Sequence, residues 1–170
     1  MIRIGVDPGK KGFICIMRDE PHINLHTIKY EGIPLIGKEI DLQKMSDIFR
    51  DTLFIGDDIH CVIEDVHAIY GSSAKATFTF GWVVGVLEAL LVANDIPYTK
   101  VTPKNWQKEM WTGIPTQKKP NKRTDTKAMS LLAAKRLFPN EDLRATKRSK
   151  KPHDGLVDAL LLAQYCKLNF

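Results

Sequence analysis

Apolar residues fall in short β-branched runs at the start of the chain and at helical spacing farther on. Ile2 to Val6 and Phe13 to Met17 lie on either side of the turn Asp7-Pro8-Gly9-Lys10-Lys11-Gly12, a pattern that predicts a hairpin. A third strand is expected near Ile23 to Ile28, followed by a Gly/Pro-containing loop. Leu42, Met45, Ile48 and Phe49 then recur at the spacing of a helix over Leu42 to Thr52. His60 to Glu64 is a β-branched run that ends in a carboxylate, and Ala76 to Asn94 is a long apolar helix leading to a strand at Tyr98 to Val101. A short helix at Pro103 to Met110, a Gly/Pro/Lys-rich mobile loop through Arg123, a helix at Thr126 to Phe138 and a last one at Asp154 to Lys167 complete the chain. No internal repeat is present. Strands first, then alternating helices and strands, predict an α/β layer fold with a mixed central sheet.

Length and composition narrow this picture. At 170 residues and 44% hydrophobic, the chain holds one sizeable core, so residues 1–170 are expected to form a single domain. No apolar run is read as long enough to cross a bilayer, and MIRIGV resembles a strand and not a signal peptide, so a cytoplasmic protein with no membrane partner is expected. Cys15, Cys61 and Cys166 are odd in number and set in apolar runs, which suits buried thiols better than zinc or disulfides. The net charge of +5 is unevenly spread: residues 97 to 151 carry 15 Lys or Arg against 4 Asp or Glu, a net of +11, and the remainder carries −6. A basic segment beside an acidic remainder suits a phosphate-binding surface, although a solvated face has the same composition.

Four carboxylates stand out against apolar surroundings. Asp7 follows Ile4-Gly5-Val6 and Glu64 follows Cys61-Val62-Ile63, so both sit at the C-terminal ends of buried strands, where open α/β sheets bind ligands. Asp154 and Asp158 are four apart, roughly 40° around a helix of ~3.6 residues per turn, and therefore share one face. The helix around Asp158 is apolar nearly all the way round, hence buried. Two like charges buried there call for a cation, and oxygen-only donors suit Mg²⁺, with Mn²⁺ as a substitute. A pair of such ions activates water and stabilises the leaving oxygen in phosphodiester cleavage. Taken singly, Asp7 is equally a turn residue, Glu64 a strand-end charge reaching solvent and Asp154 an N-cap. Their joint occurrence points to metal.

Ile4-Gly5-Val6-Asp7-Pro8-Gly9, Val62-Ile63-Glu64 and His153-Asp154-Gly155-Leu156-Val157-Asp158-Ala159-Leu160 together resemble the three acidic motifs of the RuvC-type Holliday junction resolvases. The resemblance implies an RNase H-like fold with about five strands and helices on both faces. It also implies metal ligation by Asp7, Glu64 and Asp158, two ions per site, a homodimer, and symmetric nicking of four-way DNA. His-Asp-Gly and Trp106 place the chain nearer the phage and organellar resolvases. Many bacterial members space the last two acidic positions by three, against four here, and some use histidine in this motif, so His153 stands beside Asp154 as an accessory candidate. Lys127 matches a basic residue that assists cleavage, and Lys108 falls one position from another.

The long helix carries Phe78, Phe80, Trp82, Val83, Leu87, Leu90 and Leu91, with Gly81 and Gly85 one turn apart. It could lie wholly inside one subunit, but one sheet face rarely covers so much apolar surface, and the glycines would let a second helix approach closely, which favours a two-fold dimer. The DNA-facing candidates are Lys104, Lys108, Lys118, Lys119, Lys122 and Arg123, then Lys127, Arg144, Lys147, Arg148, Lys150 and Lys151. Each taken alone, Lys127 excepted, is more readily a solvated charge than a DNA contact. In the segment after Glu64, His67, Ile69 and Tyr70 lie in a loop; Ile69 suits the core, and Tyr70 suits the core or a wedge into a junction equally. The function expected is a Mg²⁺-dependent endodeoxyribonuclease that resolves Holliday junctions. A less selective flap or fork nuclease of the same fold, or an inactive junction-binding module, remains open. An actin-like or sugar-kinase ATPase would need a second phosphate-binding hairpin and a second lobe, which 170 residues do not hold.

Overall fold

A computed structural model describes residues 1–20, 25–52, 58–66 and 73–170. Its central sheet has the strand order β3-β2-β1-β6-β7. Strand β1 (Ile2–Val6) pairs antiparallel with β2 (Phe13–Glu20), which pairs antiparallel with β3 (Leu25–Gly32). On its other side β1 runs parallel to β6 (Ile59–Glu64), and β6 parallel to β7 (Tyr98–Val101). The mixed five-stranded sheet is therefore as expected. The third strand runs farther than the sequence pattern suggested, to Gly32, because every residue of β2 from Phe13 to Glu20 has a partner between Gly32 and Leu25.

Helices cover both faces. Alternation along β1 sends Ile2, Ile4 and Val6 toward one face, where they join Phe49 of α1 (Leu42–Arg50) and Val83, Leu87 and Leu91 of α2 (Ala74–Ala93). The opposite face holds α3 (Pro103–Met110), α4 (Thr126–Leu137) and α5 (Asp154–Asn169), packed over Cys15, Met17 and Val62. Helix α5 lies directly on β1 because Gly5 has no side chain: a Cβ there would meet Ala159 O and Ala163 N at 2.2 Å. Local chemistry sets the helix starts. The side chains of Asp41, Ser73 and Asp125 accept from Lys44 N, Ala76 N and Ala128 N at the N-caps of α1, α2 and α4. Cys15, Cys61 and Cys166 are buried free thiols, as their apolar settings suggested.

Three local expectations need correction. The Gly/Pro loop after β3 contains a two-stranded hairpin, β4 (Leu35–Ile36) with β5 (Glu39–Ile40), turned by Gly37 at a φ of 62°. The lysine-rich segment is not an irregular connection. Lys118 bridges Thr124 in antiparallel register, and the backbone bonds Lys119 N to Arg123 O at 2.8 Å and Asp125 N to Gln117 O at 2.8 Å close it into a hairpin. Finally, α2 is long and apolar enough to span a bilayer by length and composition, with 20 residues and a mean hydropathy of 1.8. Reading uninterrupted apolar runs missed this, because Thr77, Thr79, Gly81, Gly85 and Glu88 break the run without making the helix polar. Only 17% of its apolar window is buried.

Candidate metal centre and nucleic-acid interface

The register Val6↔Ile63 brings the ends of β1 and β6 level, so Asp7 and Glu64 emerge side by side at the same edge of the sheet. The turn after Asp7 is tight. Asp7 N donates to Phe13 O at 3.0 Å and Gly12 N to Gly9 O at 2.8 Å, and a Cβ on Gly12 would sit 1.9 Å from Asp7 O. The first turn of α5 arrives over this edge. Gly155 permits the approach, since a Cβ on it would lie 2.5 Å from Asp7 Oδ2 and 3.1 Å from Lys11 O. Asp154 opens the helix and His153 is its N-cap, so the N-cap alternative for Asp154 does not hold. A carboxylate in that first turn also faces the positive end of the helix dipole.

Electrostatics tie the four carboxylates into one site. Burial raises the Asp7 carboxyl to about 7, and the charges of Glu64, Asp158 and Asp154 act in the same direction. Asp158 is likewise raised to about 7, mainly by burial and also by Glu64 and Asp154, against opposing help from a Ser130 hydrogen bond and the Lys127 charge. Burial raises Glu64 as well, opposed by the Trp106 indole, which donates to Glu64 Oε1 at 2.9 Å. Asp154 is exposed and bonded to the Lys127 ammonium, which holds the Lys127 pKa up. Lys127 is therefore engaged with a carboxylate of the site itself.

Two clefts open beside these residues and share Asp154 and Pro152. One is lined by Asp7, Gly9, Lys11, Gly12, His153 and Gly155, the other by Lys127, Ser130, Lys151, Val157 and Asp158. The ring of His153 lies 4.8 Å from that of Phe13, and its Nδ1 is buried without a partner. The donor set fits a hard divalent cation: the carboxylates are oxygen donors, mutually repelling and partly buried, and added positive charge relieves the repulsion. As placed, no three Asp, Glu, His or Cys side chains among the described residues close around one point, so the set is coupled by charge without forming a finished ligand shell.

The basic candidates divide. Lys104 and Lys108 are exposed on α3, and Lys118, Lys119, Lys122 and Arg123 are carried by the hairpin, where Lys122 takes a φ of 63°. Lys147, Arg148 and Lys150 are also exposed, but Arg144 is held by Asp142 through Nε at 2.8 Å and Nη2 at 2.7 Å. His67, Ile69 and Tyr70 lie outside the described residues. Sequence reasoning gave no role at the site to Ser130, Trp106 or Gly155. A buried indole usually finds an acceptor, which was the one available signal for Trp106. Nothing in the local sequence marks Ser130.

No family model matches this chain, and no curated protein does. Solved structures do. Thermus thermophilus RuvC in complex with a Holliday junction substrate aligns at a TM-score of 0.62 and 14% identity, over 99% of this chain and 97% of that one. A second Thermus thermophilus RuvC structure aligns at 0.58 and 14% identity, over 96% and 91%. The yeast mitochondrial Holliday junction resolvase Ydc2 aligns at 0.54 and 15% identity, over 98% and 83%. With the strand order β3-β2-β1-β6-β7 and helices on both faces, this chain has the RNase H-like fold of the RuvC-type Holliday junction resolvases.

Proposed function

We propose that this chain is a divalent-metal-dependent endodeoxyribonuclease that resolves four-way DNA junctions. The observation that carries the proposal is the convergence of Asp7, Glu64, Asp154 and Asp158 at one edge of the sheet, with Asp7 and Asp158 each raised to about 7 by burial and by their neighbours' charge. Structural function is poorly served by such a cluster, because each carboxylate makes the others harder to ionise. The likeness to resolvase structures agrees in fold.

Asp7, Glu64 and Asp158 would hold Mg²⁺, two ions per site, with Asp154 assisting; Mn²⁺ would substitute. When bound, the ions supply a nucleophile at neutral pH and stabilise the leaving oxygen of a phosphodiester. Lys127, held beside Asp154, offsets negative charge at the phosphate. The lysines and arginine of α3 and the 117–125 hairpin grip the backbone without reading sequence. His153, which lines the cleft with Asp7, would orient a ligand or contact the phosphate.

The open stripe of α2 supports a homodimer. Phe78, Trp82 and Val92 are 77%, 37% and 64% exposed, and nothing lies within 4 Å of a Cβ built at Gly81 or Gly85. Such a stripe suits a second helix packed closely against it, and two symmetric strands require two sites.

The test is cleavage of a labelled four-way junction against duplex, flap and fork controls, by wild type and Asp7→Asn, with and without Mg²⁺ or Mn²⁺. Paired metal-dependent nicks on the junction, lost in Asp7→Asn while binding persists, are expected. Equal cutting of flaps and forks would make it a general branched-DNA nuclease, and binding without cutting in any metal would reject the enzymatic reading.

A further inference from the structure

The carboxylates of the site have partners of two different kinds. Asp154 is bonded to an ammonium, so much of its charge is already balanced. Glu64 and Asp158 have neutral neighbours instead: the Trp106 indole donates to Glu64 Oε1 at 2.9 Å, and Ser130 lines the same cleft as Asp158. A neutral N–H or O–H holds a carboxylate oxygen in place and leaves its full negative charge to act elsewhere. Both donors are enclosed, Trp106 with no exposed surface and Ser130 with 3%.

A comparison inside the same core shows that packing alone does not demand these bonds. Trp111 lies edge-on to Trp106, ring centroids 6.5 Å apart, and its indole nitrogen is buried with no partner. The half-buried Trp111 thus has no protein acceptor for its indole nitrogen, while Trp106 is aimed at the carboxylate that ends β6. Ser130 and Lys127, three apart on α4, likewise face Asp158 and Asp154, four apart on α5.

We propose that Trp106 and Ser130 are positioning residues of the carboxylate site, each fixing one oxygen of Glu64 or Asp158 while leaving that group's charge and second oxygen for a divalent cation. The role rests on the metal-dependent reading above. Outer partners of metal ligands commonly tune affinity by about 10–100-fold, which sets the scale of the test.

Two measurements decide it, both on the intact metal-free protein. In ¹H–¹⁵N spectra the Trp106 indole proton should exchange slowly with solvent and lose that protection in Glu64→Ala; equal protection in both would overturn the contact. In calorimetric titration with Mn²⁺, Trp106→Phe and Ser130→Ala should each bind about tenfold more weakly, while Ser130→Thr, which keeps the hydroxyl, and Trp111→Phe stay within twofold of wild type. Junction binding without metal should be unchanged in all four. Affinities within twofold for Trp106→Phe and Ser130→Ala would overturn the role, as would a loss in Trp111→Phe equal to that in Trp106→Phe, which would signify a loosened core. A wild type that binds no Mn²⁺ yet keeps its protected indole would reject the metal reading and this role with it. Mn²⁺ binding without a difference in protection rejects the role alone.

Discussion

Asp7 and Asp158 carry a thermodynamic cost that pH exposes. Their carboxyls are raised to about 7 in the folded protein against an ordinary 3.8, so the fold holds protons that the unfolded chain has released. That contribution to stability is complete below pH 4 and is lost as pH rises through about 7. The midpoint of thermal unfolding in EDTA should therefore fall between pH 5 and pH 8. Asp7→Asn should flatten the fall and raise the pH 8 midpoint, and should cut cleavage by at least about a hundredfold. Saturating Mg²⁺ should remove the fall in wild type, because a ligand of the folded state alone stabilises it. A flat profile in EDTA would mean that neither burial nor the neighbouring charges hold these carboxyls protonated in the fold.

Gly155 is the second residue whose role is steric. Alanine in a helix usually gains up to about 1 kcal/mol over glycine, but here its Cβ would stand 2.5 Å from Asp7 Oδ2. Gly155→Ala is expected to lose about 1–3 kcal/mol in denaturant titration and to cut junction cleavage sharply by displacing Asp7. A stabilised, active variant would contradict the placement of α5 over the Asp7 turn.

Among the elements, α2 and α5 are both apolar nearly all round, yet their surroundings differ. Helix α5 is buried along its length between the sheet and α3 and α4, so its Asp158 is held where solvent gives little help. Helix α2 buries Val83, Leu87 and Leu91 and leaves its opposite stripe open. Gly85→Leu isolates what that stripe does, because a Cβ there meets nothing within 4 Å among the described residues. The variant should keep wild-type stability as a folded subunit and shift the mass in light scattering from dimer to monomer. An unchanged mass would rule out close packing at this face.

At the scale of the molecule, charge and shape coincide. The acidic site and the basic residues 97 to 151 are carried largely by different elements, with α3, the 117–125 hairpin, α4 and the connection from Arg144 to Lys151 supplying most of the cations. Replacing Lys118, Lys119, Lys122 and Arg123 with Gln should weaken junction binding uniformly and lower the slope of log affinity against log salt by up to about one for each phosphate left unneutralised. Arg144→Gln should leave the slope unchanged, since Asp142 already holds that guanidinium. Equal effects from both would mean that the hairpin holds no special place on the DNA-facing surface.

The one-dimensional pattern was enough for whatever depends on periodicity and on local turn and cap chemistry. Strands β1, β6 and β7, helices α3 and α5, and the strand-end positions of Asp7 and Glu64 follow from alternation, helical spacing and glycine turns, all of which act between near neighbours in the chain. The Asp154 and Asp158 pair shares a helix face for the same reason. Only the folded chain decided that these four carboxylates come to one edge, that Lys127 belongs to Asp154, that Trp106 bonds Glu64 and that Ser130 shares a cleft with Asp158. The Lys127 and Trp106 bonds join residues 27 and 42 positions apart, across helices whose packing depends on the missing side chains of Gly5 and Gly155. The small hairpin β4–β5 and the 117–125 turn escaped notice because backbone bonds in short, mostly polar segments leave no hydrophobic period to read.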